Sequence, residues 1–221
     1  MKKLTFTILA AMTAMSFWAQ QPLCPVKEGV TLLYEMKNAK GKVQTYARQV
    51  VTSVDGSGNN LTLIISSEVL DAKKKPAKAP IVSYTYKVEN GAVVVDPTAM
   101  MNSISAGLPV EGSAEGTPLV LPANMKANDA LPDCEMKMQV AFMKISASYT
   151  DGVCEGDEDI TTPAGTFNCK KVKFNCKSTA MGIKSDLILH SWYAPGIGIV
   201  KQDAYNKGKL STTQELVAVS N

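Results

Sequence analysis

Hydrophobic and polar residues alternate with a period of two along most of the chain. In the first such stretch Val30, Leu32 and Tyr34 share one face, while Thr31 and Glu35 lie on the other. This alternation predicts a half-buried β-strand over residues 30–37, because successive side chains of a strand point to opposite faces. Similar stretches predict strands over residues 43–51, 61–70, 82–88, 92–95, 119–121, 136–149, 167–178, 185–193, 197–205 and 210–219.

Turn residues separate these stretches. The pair Asn90-Gly91 is the clearest hairpin signal, because both residues tolerate the positive φ of a type I′ turn. Residues 96–107 are the one segment that suggests a short helix, with Asp96 as the N-cap and Pro97 at the first helical position. Residues 109–132 contain four prolines and predict irregular surface chain.

These elements together indicate an all-β fold. About ten strands joined by short turns, without alternating helices, exclude a parallel α/β sheet. We therefore predict a strongly curved antiparallel sheet that forms a barrel or half-barrel, with one short helix. The hydrophobic phase changes near residue 142, which predicts a β-bulge or a strand covered on both faces. Residues 20–221 are expected to form a single domain, since β-barrels of this length commonly do.

The N-terminus has the layout of a secretory signal peptide. Lys2 and Lys3 precede an apolar stretch over residues 4–18, and a glutamine-rich segment follows. We predict that residues 1–19 are a signal peptide, because the apolar stretch is shorter than the roughly 20 residues that cross a bilayer. The protein is then exported to the periplasm or the cell exterior, without a transmembrane anchor. Cys24 lacks the small preceding residues of a lipid-attachment site.

Charge does not indicate a nucleic-acid partner. Without Lys2 and Lys3 the chain has 21 basic and 20 acidic residues, a net charge of +1. The densest basic run, at residues 73–78, lies in a proline-containing stretch between two predicted strands and is interpreted as a solvated loop.

Export to an oxidising compartment permits disulfide formation. The five cysteines are Cys24, Cys134, Cys154, Cys169 and Cys176, so at least one has no partner within the chain. Cys169 and Cys176 lie about 23 Å apart along one strand and cannot pair with each other. A hairpin at residues 161–166 would bring Cys154 near Cys176, which is the disulfide that we predict. No Cys-x-x-Cys pair occurs, and we expect no metal site.

Two motifs resemble those of a known family. They are the segment from Asp159 to Cys169, with Thr162-Pro163-Ala164-Gly165 at its centre, and the segment from Trp192 to Lys201. The chain resembles a family of uncharacterised exported proteins of Gram-negative gut bacteria that have a YmcC-like fold. The resemblance spans nearly the whole mature chain. It implies a mainly antiparallel barrel or half-barrel, similar in outline to envelope carriers of lipids and lipoproteins, and it supplies no catalytic residues.

Soft and aromatic side chains suggest an apolar pocket. Methionine adapts its shape to a ligand, so Met136, Met138 and Phe142, with Trp192 and Tyr193 at the edge, could hold an acyl chain. The competing interpretation is that these side chains simply fill the core.

Other candidate chemistry is weaker. His190 is the sole histidine and the only ready base at neutral pH, but no nucleophile motif accompanies it. The acidic stretch at residues 151–159 does not follow the spacing of an EF-hand calcium loop.

We therefore expect no catalytic residues and no cofactor. The leading hypothesis is a non-enzymatic envelope protein that binds an apolar ligand such as a lipid or a lipoprotein. The alternative is a structural or protein-interaction module without a pocket, which would contact a partner through a strand edge or residues 109–132.

Overall fold

The computed structural model describes residues 21–99, 101–102, 112–140, 143–180 and 182–221. The predicted signal peptide and Phe142 lie outside these residues. The strands are β1 Thr31–Asn38, β2 Val43–Ser57, β3 Asn60–Asp71, β4 Val82–Glu89, β5 Ala92–Val95, β6 Gly112–Gly116, β7 Leu119–Leu121, β8 Ala130–Leu131, β9 Cys134–Val140, β10 Met143–Thr162, β11 Gly165–Ala180, β12 Ile183–Ala194, β13 Gly198–Asn206 and β14 Lys209–Ser220.

The described strands form one antiparallel sheet. Its order is β6-β9-β10-β11-β12-β13-β14-β1-β2-β3-β4-β5-β7, and the short strand β8 pairs with β10 outside this path. The terminal strands β6 and β7 are separated in the chain by only Thr117 and Pro118. The sheet therefore curves round until its two ends nearly meet, which confirms the all-β, curved antiparallel prediction.

Two details of the prediction, the barrel or half-barrel and the count of about ten strands, are matched only in part. The sheet is not closed into a barrel, because no ladder joins β6 to β7 among the described residues. The described residues form 14 strands, and the additional ones include β6 and β8 in the proline-containing segment. Both are short, and β6 consists of small and polar residues, so neither has a hydrophobic alternation that a sequence could reveal.

The turn and helix-start predictions are confirmed where the chain is described. Asn90 and Gly91 both have positive φ, at 52° and 84°, and they join the paired strands β4 and β5. Residues 97–99 and 101–102 are helical, and the Asp96 carboxylate accepts a hydrogen bond from the Ala99 backbone N–H at 2.8 Å. That bond is the expected N-cap.

The phase change near residue 142 has a different cause from the one predicted. Val140 pairs with Met143, so the chain reverses there and β9 and β10 form a hairpin. A two-residue connection shifts the alternation in the same way as a bulge would. The bulges of this region lie further along β10, between Thr150 and Val153 and between Cys154 and Gly156.

The predicted disulfide between Cys154 and Cys176 is not formed, and all five cysteines are buried free thiols. A bulge between Cys154 and Gly156 shifts the register, so that Cys154 lies opposite Val172, and the second bulge, beyond Cys154, places Tyr149 opposite Cys176. Val172, the partner of Cys154, lies four residues from Cys176 along β11. That separation is about 13 Å, which is beyond the reach of a disulfide.

In the part of the chain that the structure describes, buried side chains form two hydrophobic clusters. The first includes Leu63, Val88 and Phe174, and the second includes Val51 and Leu216. The cavity described below is lined by members of both clusters, and so lies where they meet.

Candidate ligand-binding cavity

A cavity of about 300 Å³ lies between the two clusters. Its walls come from strands at both ends of the sheet order, so that only the curvature of the sheet brings them together. The lining residues are Leu23, Cys24, Pro25, Leu32, Tyr34, Gln49, Ile65, Tyr86, Val93, Val95, Leu119, Leu121, Met136, Tyr149, Tyr193, Ile197, Gly198, Ile199 and Gln214. Among these described residues none is charged, and most are apolar.

The segment before β1 forms part of the cavity wall. Leu23 and Cys24 are almost fully buried, at 3% and 2% exposure. The Gly196 backbone N–H donates a hydrogen bond to the Pro22 carbonyl at 2.8 Å, which fixes the segment to the turn between β12 and β13. Gly198, the first residue of β13, has a φ of 90°, and a Cβ there would lie 3.4 Å from Pro25 Cδ, an ordinary contact distance. The positive φ therefore favours glycine at this position.

Four tyrosines line the cavity, on four different strands. Burial raises the pKa of Tyr34, Tyr86 and Tyr149 well above the usual value, because the charged form would lose its hydration. Burial also raises the pKa of Tyr193, to about 12. All four side chains therefore remain neutral hydroxyls at physiological pH.

Three of the four hydroxyls have partners within the protein. Tyr34 donates to the Ile199 carbonyl at 3.0 Å. Tyr149 lies beside the Cys176 thiol and Tyr193 lies beside Ser191, near enough for each pair to interact. The hydroxyl of Tyr86 makes no hydrogen bond to any residue that the structure describes.

Two of the predicted pocket residues lie in the cavity wall. Met136 and Tyr193 contribute to the lining, whereas Met138 lines an open groove beside β6, β9 and β10. Trp192 is absent from the described lining. Phe142, the fifth predicted residue, lies outside the described residues.

Trp192 belongs to the second hydrophobic cluster, and its ring also contacts charged side chains. Its indole N–H donates to the Glu158 carboxylate at 3.0 Å. The ammonium groups of Lys171 and Lys201 lie 5.2 and 4.9 Å from the centre of its ring, within cation–π range. The lysine side chains help to cover the ring, which is only 6% exposed.

His190 belongs to the same face as Trp192. Its Nδ1 lies 2.9 Å from a Glu155 carboxylate oxygen, and its ring contacts the Tyr205 ring edge-on. Within the described chain no hydroxyl or thiol is hydrogen-bonded to His190. The arrangement is an ion pair when His190 is protonated.

The acidic stretch in β10 is paired with lysines of β11. Asp157 lies 2.7 Å from the Lys170 ammonium, and Glu158 lies 3.3 Å from that of Lys171. No three His, Cys, Asp or Glu side chains of the described residues are placed to hold a metal ion together.

Sequence analysis missed the tyrosines at positions 34, 86 and 149. A signal was present, because Tyr34 follows Val30 and Leu32 on one strand face and Tyr86 precedes Val88 on another. Alternation shows that such side chains point inward, but it does not show that separate strands bring them to one cavity.

The fold and the cavity define a class of protein in which a single curved antiparallel sheet surrounds a cavity without charged side chains in its described lining. Within the described residues, no helix has the length and hydropathy needed to cross a membrane. The chain belongs to the DUF3108-like family, whose profile matches residues 27–216.

Two solved structures share the fold. A protein of Bacteroides fragilis, described as exported and as having a YmcC-like fold, is 19% identical with a TM-score of 0.74, over 91% of this chain and all of the other. A protein of Parabacteroides distasonis, described as a lipoprotein, is 19% identical with a TM-score of 0.72, over 91% of this chain and 99% of the other. The expected resemblance to exported proteins with a YmcC-like fold is confirmed. No curated protein matches the chain significantly.

Proposed function

We propose that the protein is an exported, non-enzymatic component of the cell envelope that holds an apolar ligand in its interior cavity. The ligand class is a lipid, or the lipid portion of a lipoprotein. The cavity of about 300 Å³, with no charged side chain in its described lining, carries this proposal. A filled interior would instead have favoured a structural or interaction module.

The size of the cavity limits the ligand. Small-molecule sites commonly have volumes of about 300–1,000 Å³, so this one is at the lower end of that range. At about 30 Å³ for each water molecule, it has room for roughly ten water-sized groups. It therefore suits one short acyl chain, or the end of a longer one, better than a whole phospholipid.

The proposed location rests on separate observations. The chain begins with the charge and hydropathy pattern of a signal peptide. The two structural neighbours are described as an exported protein and as a lipoprotein. We therefore place the protein in the periplasm or at the cell exterior, where lipids and lipoproteins are available as ligands.

The first experiment is native mass spectrometry of protein purified from its own envelope, with lipid extraction of the same sample. A stoichiometric apolar companion is expected. In parallel, the neutral fluorescent probe N-phenyl-1-naphthylamine should bind to delipidated protein and be displaced by the extracted lipid. A ligand-free mass together with no probe binding would refute the proposal.

A pair of neighbouring variants locates the bound probe. Leu119 lines the cavity, whereas Val120 is the next residue of β7 and is not part of the lining. Leu119→Trp should fill part of the cavity and weaken probe binding at least tenfold, about 1.4 kcal/mol. Val120→Trp introduces the same side chain outside the lining and should leave binding unchanged. Equal effects of the two substitutions would place the probe elsewhere.

The absence of catalysis is also part of the proposal. The described surroundings of His190 provide a carboxylate but no nucleophile. We expect neither the natural protein nor a His190→Ala variant to hydrolyse ester or amide substrates. Hydrolysis by the natural protein that is lost in His190→Ala would overturn this part of the proposal.

A further inference from the structure

The hydroxyl of Tyr86 is a polar group of the cavity without a hydrogen-bond partner in the described chain. Tyr86 is partly buried, and part of its surface faces the cavity. Its hydroxyl makes no hydrogen bond to any described residue. A hydroxyl can both donate and accept a hydrogen bond, so this one is available to a ligand that enters the cavity.

The groups around this hydroxyl are neutral. Tyr34, Tyr193 and Cys24 are near enough to interact with Tyr86 electrostatically, and burial keeps each of them protonated. The described lining contributes two further polar side chains, Gln49 and Gln214, which are also uncharged. Among the described lining residues there is no lysine, arginine or histidine whose positive charge could pair with a carboxylate or phosphate. An ionised ligand group would therefore lose its hydration in the cavity without gaining an ion pair, which is costly.

We infer that the cavity selects an uncharged amphiphile, an acyl chain whose ester or amide carbonyl accepts a hydrogen bond from Tyr86, in preference to a free fatty-acid anion. This inference rests on the proposed function and gives it a more specific ligand. The acyl chain would contact the apolar wall, and Tyr86 would position its carbonyl. An ester- or amide-linked chain fits because its carbonyl accepts a hydrogen bond without carrying charge.

The test compares three ligands of equal chain length: decane, methyl decanoate and decanoate. Each competes with N-phenyl-1-naphthylamine for delipidated protein at pH 8. Methyl decanoate is expected to bind at least tenfold more tightly than decanoate. Lowering the pH toward 4 should strengthen binding of the acid, because protonation removes its charge, and should leave binding of the ester unchanged.

Tyr86→Phe removes only the hydroxyl. It should weaken the binding of methyl decanoate about 2- to 12-fold, because one hydrogen bond contributes about 0.5–1.5 kcal/mol net. The binding of decane should not change. The ligand-free variant should be at least as stable as the natural protein, since the hydroxyl has no partner to lose. Tyr34→Phe is the matched control: its hydroxyl is bonded to Ile199, so the ratio of ester to decane affinity should not change.

The outcomes separate the two proposals. If decane and the ester bind equally and Tyr86→Phe changes neither, selection by Tyr86 is overturned while the apolar cavity stands. Selection by Tyr86 would also be overturned if decanoate bound as tightly as the ester at pH 8. A loss of stability in the ligand-free Tyr86→Phe variant would overturn it as well. If none of the three ligands displaces the probe, the proposed function itself fails.

Discussion

Gly152 allows the packing of Phe174 beneath the β10 bulge, and its substitution by alanine provides a severe test of the structure. A Cβ at position 152 would lie 2.2 Å from Phe174 Cε1 and 2.8 Å from the Cβ of Leu131. Carbon atoms in favourable contact are about 3.5–4.0 Å apart, so the ring would have to move by more than 1 Å. Phe174 is only 5% exposed, which leaves it little room to move.

The expected cost has two components. Overpacking of a filled core costs about 1–3 kcal/mol. Phe174 also packs edge-on against the cavity residue Tyr149, with ring centres 6.1 Å apart, and disturbing such a pair costs about 0.5–1.5 kcal/mol. We therefore expect Gly152→Ala to destabilise the protein by about 2–4 kcal/mol and to lower its Tm by roughly 4–16 °C.

Thermal and urea unfolding, followed by circular dichroism, measure this change in four proteins: the natural chain, Gly152→Ala, Phe174→Leu and the double variant. The smaller leucine should relieve the clash, so Gly152→Ala should cost at least about 1 kcal/mol less in the Phe174→Leu background. Gly182→Ala is the control, because a Cβ there has nothing within 4 Å and only the positive φ is unfavourable. Additive effects of Gly152→Ala and Phe174→Leu would refute the packing argument.

Three further predictions concern other parts of the molecule. Burial raises the pKa of the Cys24 thiol to about 12, so Ellman's reagent should label it only after unfolding; labelling within minutes in the native state would contradict this. The Trp192 indole and the Lys171 ammonium lower the pKa of Glu158, so its stabilising effect is present above pH 4.5 and is lost as the pH falls through the lower, folded-state pKa. Glu158→Gln should therefore flatten the loss of stability in acid; unfolding curves between pH 3 and 6 that keep the natural slope would argue against this pair. Gly198→Ala should cost about 1–2 kcal/mol because of its positive φ, and should speed proteolysis of the N-terminal segment; unchanged proteolysis would show that the contact is unimportant.

Local sequence patterns predicted much of the sheet. The alternation at Val30, Leu32 and Tyr34 correctly located β1, and Asn90-Gly91 correctly located the hairpin between β4 and β5. These predictions succeeded because a strand's inward face and a tight turn's φ angles depend on adjacent residues. The strands β6 and β8 were missed, because their pairing partners, and not their own composition, hold them in the sheet.

The candidate site was only partly predictable. Met136 and Tyr193 were chosen for their side-chain chemistry and lie in the cavity wall, while the neighbouring Trp192 faces a lysine and glutamate cluster instead. The predicted pairing of Cys154 with Cys176 failed because the hairpin places Cys154 far along β11 from Cys176, and a bulge moves it one residue further, to Val172. A one-residue bulge is invisible in composition but changes the register of every residue beyond it.

The sequence by itself determined the class of fold, because the period of two and the turn residues act over a few neighbouring positions. Tertiary structure decided how far the sheet curves and what its inner face encloses. Tyr34, Tyr86, Tyr149 and Tyr193 belong to strands far apart in the chain, yet all line one cavity. Their convergence depends on twist, bulges and register summed over the whole sheet, and no short stretch of sequence encodes that sum.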